Sequence, residues 1–116
     1  MIELSAGASR KMQKYLKFLN FRLDVVVKDV CGLTGLKIID DICKGNLDPF
    51  LLAEHRHYNC RKSKEEIAKA LHGNNREDFL FGLKQEYHSY LFYQKQIKAC
   101  DKEINSFIKK TLMKSL

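Results

Sequence analysis

The chain has 116 residues, of which 45% are apolar and 30% charged, with six glycines, one proline and no tryptophan. That length sets the expectation of a single domain, 1–116, and the composition excludes collagen-like and disordered classes and argues against a many-turned β-sandwich. Twenty-one Lys and Arg against 14 Asp and Glu leave a net charge of +7, which fits a polyanionic partner such as nucleic acid without assigning a function.

From about Ser9 to Val30 no glycine or proline interrupts, and Met12, Leu16, Leu19, Leu23, Val26 and Val30 recur at alternating spacings of 4 and 3. This heptad period predicts a helix over about 9–30 with a narrow apolar seam facing a partner helix. Tyr15 and Phe18 widen the seam, and Arg10, Lys14, Lys17, Arg22 and Lys28 give a basic outer face. In Cys31-Gly32-Leu33-Thr34-Gly35, Gly32 reads as the left-handed end of that helix and Thr34 as the N-cap of the next. A short helix over 35–44 places Leu36, Ile38, Ile39, Ile42 and Cys43 on one face and stops at Gly45-Asn46. Asp48-Pro49 reads as an N-cap followed by a first-turn proline, opening a helix through Ala53.

Residues 55–64 have no apolar period and hold Arg56, Arg61, Lys62 and Lys64 with no acid, so they read as an exposed basic loop. Ser63 and Glu66 then form a capping box that opens a third short helix ending at Gly73. After the Asn74-Asn75 turn, Arg76 to about Leu112 is free of proline and holds one glycine, Gly82, which predicts one long helix. Its seam is Leu80, Leu83, Tyr87, Tyr90, Gln94, Ile97, Asp101, Ile104 and Ile108; Gln94 and Asp101 are polar residues that weaken a seam while fixing its register.

The expected architecture is all-α. Two long heptad-patterned helices, about 9–30 and 76–112, form an antiparallel, coiled-coil-like hairpin capped by three short helices. Such helices carry more apolar seam than a chain of this size covers, so part of the seam is expected to bury against a second copy in a homodimer or higher oligomer. Leu16, Leu19, Leu23, Val26, Leu83, Tyr87, Ile97 and Ile104 are the candidate oligomerisation residues. Arg56, Arg61, Lys62, Lys64 and Arg76 are the candidate phosphate contacts.

Other chemistry is poorly represented. His55, His57 and Cys60 offer three soft ligands to zinc, but a structural zinc site uses four, and the surrounding Arg and Lys disfavour a cation; no metal or other cofactor is expected. Cys60 beside Arg61 and Lys62 has the setting of a lowered thiol pKa, yet a nucleophile needs a placed base. The adjacent acids Asp40-Asp41, Glu65-Glu66 and Glu77-Asp78 point in different directions on a helix, and the last two pairs sit where helix first turns favour acids. Enzyme signatures such as a P-loop, GxSxG or HExxH are absent from the sequence. Gly32 to Gly35 reads either as a plain helix corner or as a helix-hairpin-helix turn presenting the Gly35 and Leu36 amides to a phosphate. The four cysteines are too far apart for a CxxC pair, and the sequence has neither a signal-peptide core nor a long apolar run. The expectation is a cytoplasmic chain with reduced thiols and no membrane partner.

Three segments in order, DVCGLTGLKIIDDICKGNLDP (Asp29 to Pro49), LLAEHRHYNCRKSKEEIAKALHGNNREDFLFGLKQ (Leu51 to Gln85) and YLFYQKQIKACDKEI (Tyr90 to Ile104), resemble the insertion sequence 110 family of bacterial transposases. The resemblance runs from about Lys11 to Ile108. In that family a DEDD, RuvC-like domain is followed by a helical middle region and a C-terminal domain with a catalytic serine. The matched residues fall on the middle region, so the resemblance implies a fragment of a transposase with no catalytic residue of its own. It implies an oligomerisation and nucleic-acid-supporting module in DNA transposition and recombination, working with DNA and a structural guide RNA through the parent protein. The other reading is a stand-alone basic DNA- or RNA-binding regulator that forms mixed oligomers with the full-length transposase.

Overall fold

The computed structural model describes residues 2–56, 60 and 62–115. Among them every regular element is helical: α1 (Ile2–Phe18), α2 (Leu23–Val26), α3 (Leu33–Cys43), α4 (Pro49–Ala53), α5 (Lys64–Ala70) and α6 (Glu77–Ser115). The all-α class, the three short central helices and the long final helix follow the sequence periodicity. The first helix does not. It spans Ile2–Phe18, and the expected continuous helix over 9–30 is corrected to α1, a turn and the four-residue α2.

The turn has a local cause. Asn20 adopts a left-handed φ of 62°, its N–H donates to the Lys17 carbonyl at 3.0 Å, and the Phe21 N–H reaches back to the Leu16 carbonyl at 2.9 Å. These are the two bonds of a Schellman cap, with asparagine in the place usually taken by glycine. Leu19, Phe21 and Leu23 are nevertheless buried, because the chain folds back and feeds them into the same core from a new direction. The folded-back segment is stitched to the connection between α5 and α6. Arg22 N–H donates to the Ala70 carbonyl at 2.8 Å, Asn74 N–H to the Leu19 carbonyl at 2.9 Å, and the Asn74 side-chain amide to the Phe18 carbonyl at 2.8 Å.

Helix α1 packs antiparallel on α6, since partners on α6 fall in number as those on α1 rise. Gln94 Nε2 donates to the buried Ser5 Oγ at 2.6 Å, Lys11 lies 3.9 Å from Glu86, and the Phe18 and Phe79 rings are 5.1 Å apart. Gln94 thus meets a hydroxyl in an otherwise apolar seam, and a shift along the pair would leave both polar groups unmatched. Gly82 permits the close approach further along, because a Cβ there would stand 2.5 Å from the Tyr15 ring. Around this pair, Met12, Leu16, Ile38, Ile39, Ile42, Leu52, Ile67, Leu71 and Leu83 form the centre of the core.

The short helices begin and end by side-chain chemistry. Asp48 accepts a bond from the Phe50 N–H at 3.0 Å, ahead of Pro49, and Ser63 Oγ accepts from the Glu66 N–H at 3.2 Å, as the capping signals require. Gly45, with φ of 91°, ends α3. At the other end of α3 the reading changes: Gly32 is its extended N-cap, with φ of −73°, and Thr34 lies inside the first turn. Position 35 needs glycine for space, because a Cβ there would stand only 2.0 Å from the Val30 carbonyl oxygen.

At about 1.5 Å per residue, the 39 residues of α6 match the 60 Å long dimension of the molecule. Helix α1 accompanies α6 only as far as the Ser5–Gln94 bond. From Lys98 to Met113 every residue of α6 is exposed.

A methyl group at position 35 must push the Val30 backbone away. Gly35→Ala is therefore expected to lower stability by at least about 2 kcal/mol through overpacking, read as a lower urea midpoint; an unchanged midpoint would contradict the close contact.

Candidate functional site

The eight candidate oligomerisation residues divide into two groups. Leu16, Leu19, Leu23, Leu83 and Tyr87 are all buried in the chain's own core, and Val26 is half-buried against it. Their apolar surface is covered within one copy. Ile97 is half-buried and Ile104 exposed, and these two begin the free part of α6. Cys100, Phe107, Ile108 and Leu112 continue the same side of the helix at its turn of about 100° per residue. Phe107 is 71% exposed and Leu112 61%, a degree unusual for large apolar side chains in a row.

The other side of the same helix is basic. Lys95, Lys98, Lys102 and Lys109 are exposed and share one face, opposite the apolar stripe. Phe107, Leu112 and this lysine row were visible in the sequence as residues, but their importance depends on knowing where α1 stops covering α6.

Two cations of this basic segment, Arg56 and Lys62, are tied to backbone carbonyls. Arg56 Nη1 donates to the carbonyls of Cys60 at 3.3 Å and Lys62 at 2.8 Å. Lys62 Nζ donates to the Val25 carbonyl at 2.9 Å, clamping the loop to α2. Neutral carbonyls accept these bonds, so holding the two side chains in place brings no acid against them. Lys64 is exposed at the start of α5. Arg76 pairs with Asp78 at 2.9 Å and stacks on Phe79 at 4.4 Å, whose ring in turn meets Phe18 at the end of α1. Arg61 and His57 lie outside the described residues.

The histidine and acid motifs resolve into structural ties. His55 Nε2 pairs with Asp41 Oδ2, holding the end of α4 to α3. Asp40 turns to a different set, accepting from the Tyr87 hydroxyl at 3.0 Å and from Lys44 Nζ at 2.6 Å. Asp40, Asp41, His55 and Tyr87 line a shallow, open cleft of about 430 Å³ with Leu33, Leu36 and Lys37. The Lys44 ammonium, and then the Tyr87 hydroxyl, hold the Asp40 carboxyl below its ordinary value against the opposing effect of burial. Burial, and then the bond to Asp40, push the Tyr87 phenol up. Burial raises the nearby Cys43 thiol to about 11. Both protons are therefore held at neutral pH, and the cleft offers a charged staple between α3 and α6 with no activated nucleophile.

At the start of α3 the Leu36 N–H donates to the Gly32 carbonyl at 2.9 Å and Gly35 is covered by Val30. The plain helix corner accounts for these glycines, and the phosphate-cradle alternative is set aside. Among the described residues no group of three His, Cys, Asp or Glu is placed to hold a metal ion, and no helix is long and apolar enough to cross a membrane. No family model, curated protein or solved structure matches the chain.

The lowered Asp40 pKa has a definite sign for stability. Its contribution is present above the unfolded carboxylate value of about 3.9 and is lost as pH falls through the lower folded value. The Asp40 side chain is 36% exposed, so screening keeps the effect below about 1 kcal/mol. Asp40→Asn is expected to shrink the stability difference between neutral and acid pH in urea titrations. An identical acid loss in both proteins would show that Asp40 is uncoupled from folding.

Proposed function

We propose that this chain is a helical assembly module, catalytically inactive alone, that joins copies through the free half of α6 and turns its lysine face toward nucleic acid. The observation that carries the reading is the exposed run from Lys98 to Met113, with Ile104, Phe107, Ile108 and Leu112 each at least half exposed. Burying one such side chain contributes roughly 1.5–3 kcal/mol, and a helix of this length draws most of its stability from packing an apolar face. A second copy supplies the same stripe, so the contact is self-complementary in a two-fold dimer. In this reading the α1–α6 hairpin is the rigid base and coiled-coil pairing occurs between copies.

With the stripe covered, Lys95, Lys98, Lys102 and Lys109 face outward as a row of point charges suited to a phosphate backbone. The setting is proposed to be DNA transposition in the cytoplasm, with the chain acting as the helical middle region of an insertion sequence 110 family transposase and reaching DNA and a structural guide RNA through the parent protein. That setting is supported by the sequence resemblance alone. The assembly role is supported separately, by the helix the chain leaves uncovered.

Sedimentation velocity at tens of micromolar is expected to show a dimer or higher oligomer. Ile104→Lys combined with Phe107→Lys is expected to weaken association by at least about 100-fold, the loss of two buried anchors, with the circular dichroism of the core helices retained. A strictly monomeric wild-type chain would refute the assembly role. In the same preparations, affinity for duplex DNA is expected to fall steeply as salt rises from about 50 to 200 mM; salt-indifferent binding would contradict a phosphate contact.

A further inference from the structure

We propose that the outer face of α1, with the Phe18–Phe79 ring pair at its edge, is a binding surface for single-stranded nucleic acid. It lies beside the start of α6, away from the uncovered half of that helix, and neither assembly nor the α6 lysine row enters the argument.

The first argument is charge. Between Glu3 and Asp24 the chain carries five cations and no acid. Arg22 is met by Asp24 at 3.7 Å, and Lys11 turns to Glu86 at 3.9 Å. Arg10, Lys14 and Lys17 remain. All three are exposed, and none pairs with a carboxylate of the described residues. At about 100° per residue they fall within an arc of about 60°, and with Gln13 and Phe18 they line a shallow groove of about 300 Å³. Lys17 in the last turn suits the helix dipole, but Arg10 and Lys14, one turn apart, repel each other. A phosphate backbone laid along this face, over about 10 Å of helix axis, relieves that repulsion.

The second argument is the row of planar groups at the groove's edge. Lys14 Nζ lies 5.6 Å from the Phe18 ring centroid, Phe18 lies 5.1 Å from Phe79 with the rings 35° apart, and the Arg76 guanidinium lies 4.4 Å from Phe79. Phe18 stays 45% exposed despite its ring partner. An exposed ring beside a basic groove is a platform on which a base stacks, whatever its identity, because every base has a π-face. Arg76 ends the row with a second planar group, its charge shared with Asp78 at 2.9 Å. Glu77 lies about 200° around α6 from Phe79, away from the row.

These two features together favour a single strand. A duplex keeps its bases stacked inside and would use the cations alone. An anionic membrane takes up a helix by its apolar face, and that of α1, with Ala8, Met12 and Leu16, is buried in the core.

The test is fluorescence anisotropy of the full chain with a labelled oligothymidylate of about 12 nucleotides and a duplex of equal length, with urea midpoints measured for every variant. The chain is expected to bind the single strand with an affinity that falls as salt rises. Phe18→Leu is expected to weaken this binding at least about fivefold, the low end of one base's stacking contribution, while Phe18→Tyr, which keeps the flat ring, retains it. Arg10→Gln combined with Lys14→Gln, both outside the core, is expected to reduce the slope of log affinity against log salt by about 1.4, or about 0.7 for each lost contact. Unchanged single-strand binding in a folded Phe18→Leu chain, or an unchanged slope in the charge variant, overturns the site. Displacement of the bound oligonucleotide by phosphatidylserine vesicles also overturns it, in favour of a lipid surface. Binding of the single strand without binding of the duplex supports this surface and contradicts a duplex contact by the α6 lysine row.

Discussion

A long helix with a short partner is the constraint on which the rest of this molecule depends. Helix α6 has 39 residues and α1 has 17, and an amphipathic helix is held in water chiefly by whatever covers its apolar face. Over its first half α6 is covered by α1, with the core helices closing around Leu83 and Tyr87. Over its second half the apolar face continues and the cover stops. At the opposite end of α1, beside the start of α6, Asn20 in its left-handed conformation ends the helix and sends the chain back across the core.

The polar contacts fix the geometry that this constraint exploits. Ser5 and Gln94 set the register of the helix pair, and Gly82 lets the Tyr15 ring approach. Asp40 ties α3 to α6 through Tyr87, while the Arg56 and Lys62 clamp closes the central loop onto α2. A base built in this way presents the distal helix at a defined angle. A rigidly presented helix loses less conformational freedom on pairing than a free peptide does. Its two faces differ in chemistry, one an apolar stripe and the other a lysine row.

Short-range chemistry was legible in the sequence and long-range cover was not. Asp48, Ser63 and Gly45 announce helix ends because their side chain, or its absence, acts on backbone groups within a few residues. Asn20 performs the same service, but Leu19, Leu23, Val26 and Val30 continue the heptad spacing across it, so the period overrode the cap. Spacing identifies an apolar face and is silent on what covers that face. Leu16 and Phe107 therefore look alike in the sequence, while one lies in the core and the other in solvent. The loop cations were readable as charge, whereas their bonds to distant carbonyls depend on the folded path. The requirement for glycine at position 35 comes from Val30, and only the tertiary turn brings the two together.

Concentration-dependent hydrogen exchange along α6 tests the central claim most directly, because it compares the covered and uncovered halves of one helix. Amides over 79–94 are expected to show strong protection that does not change with protein concentration, while those over 98–113 are weakly protected when dilute and gain protection as copies associate. Equal protection of both halves at every concentration would contradict the account.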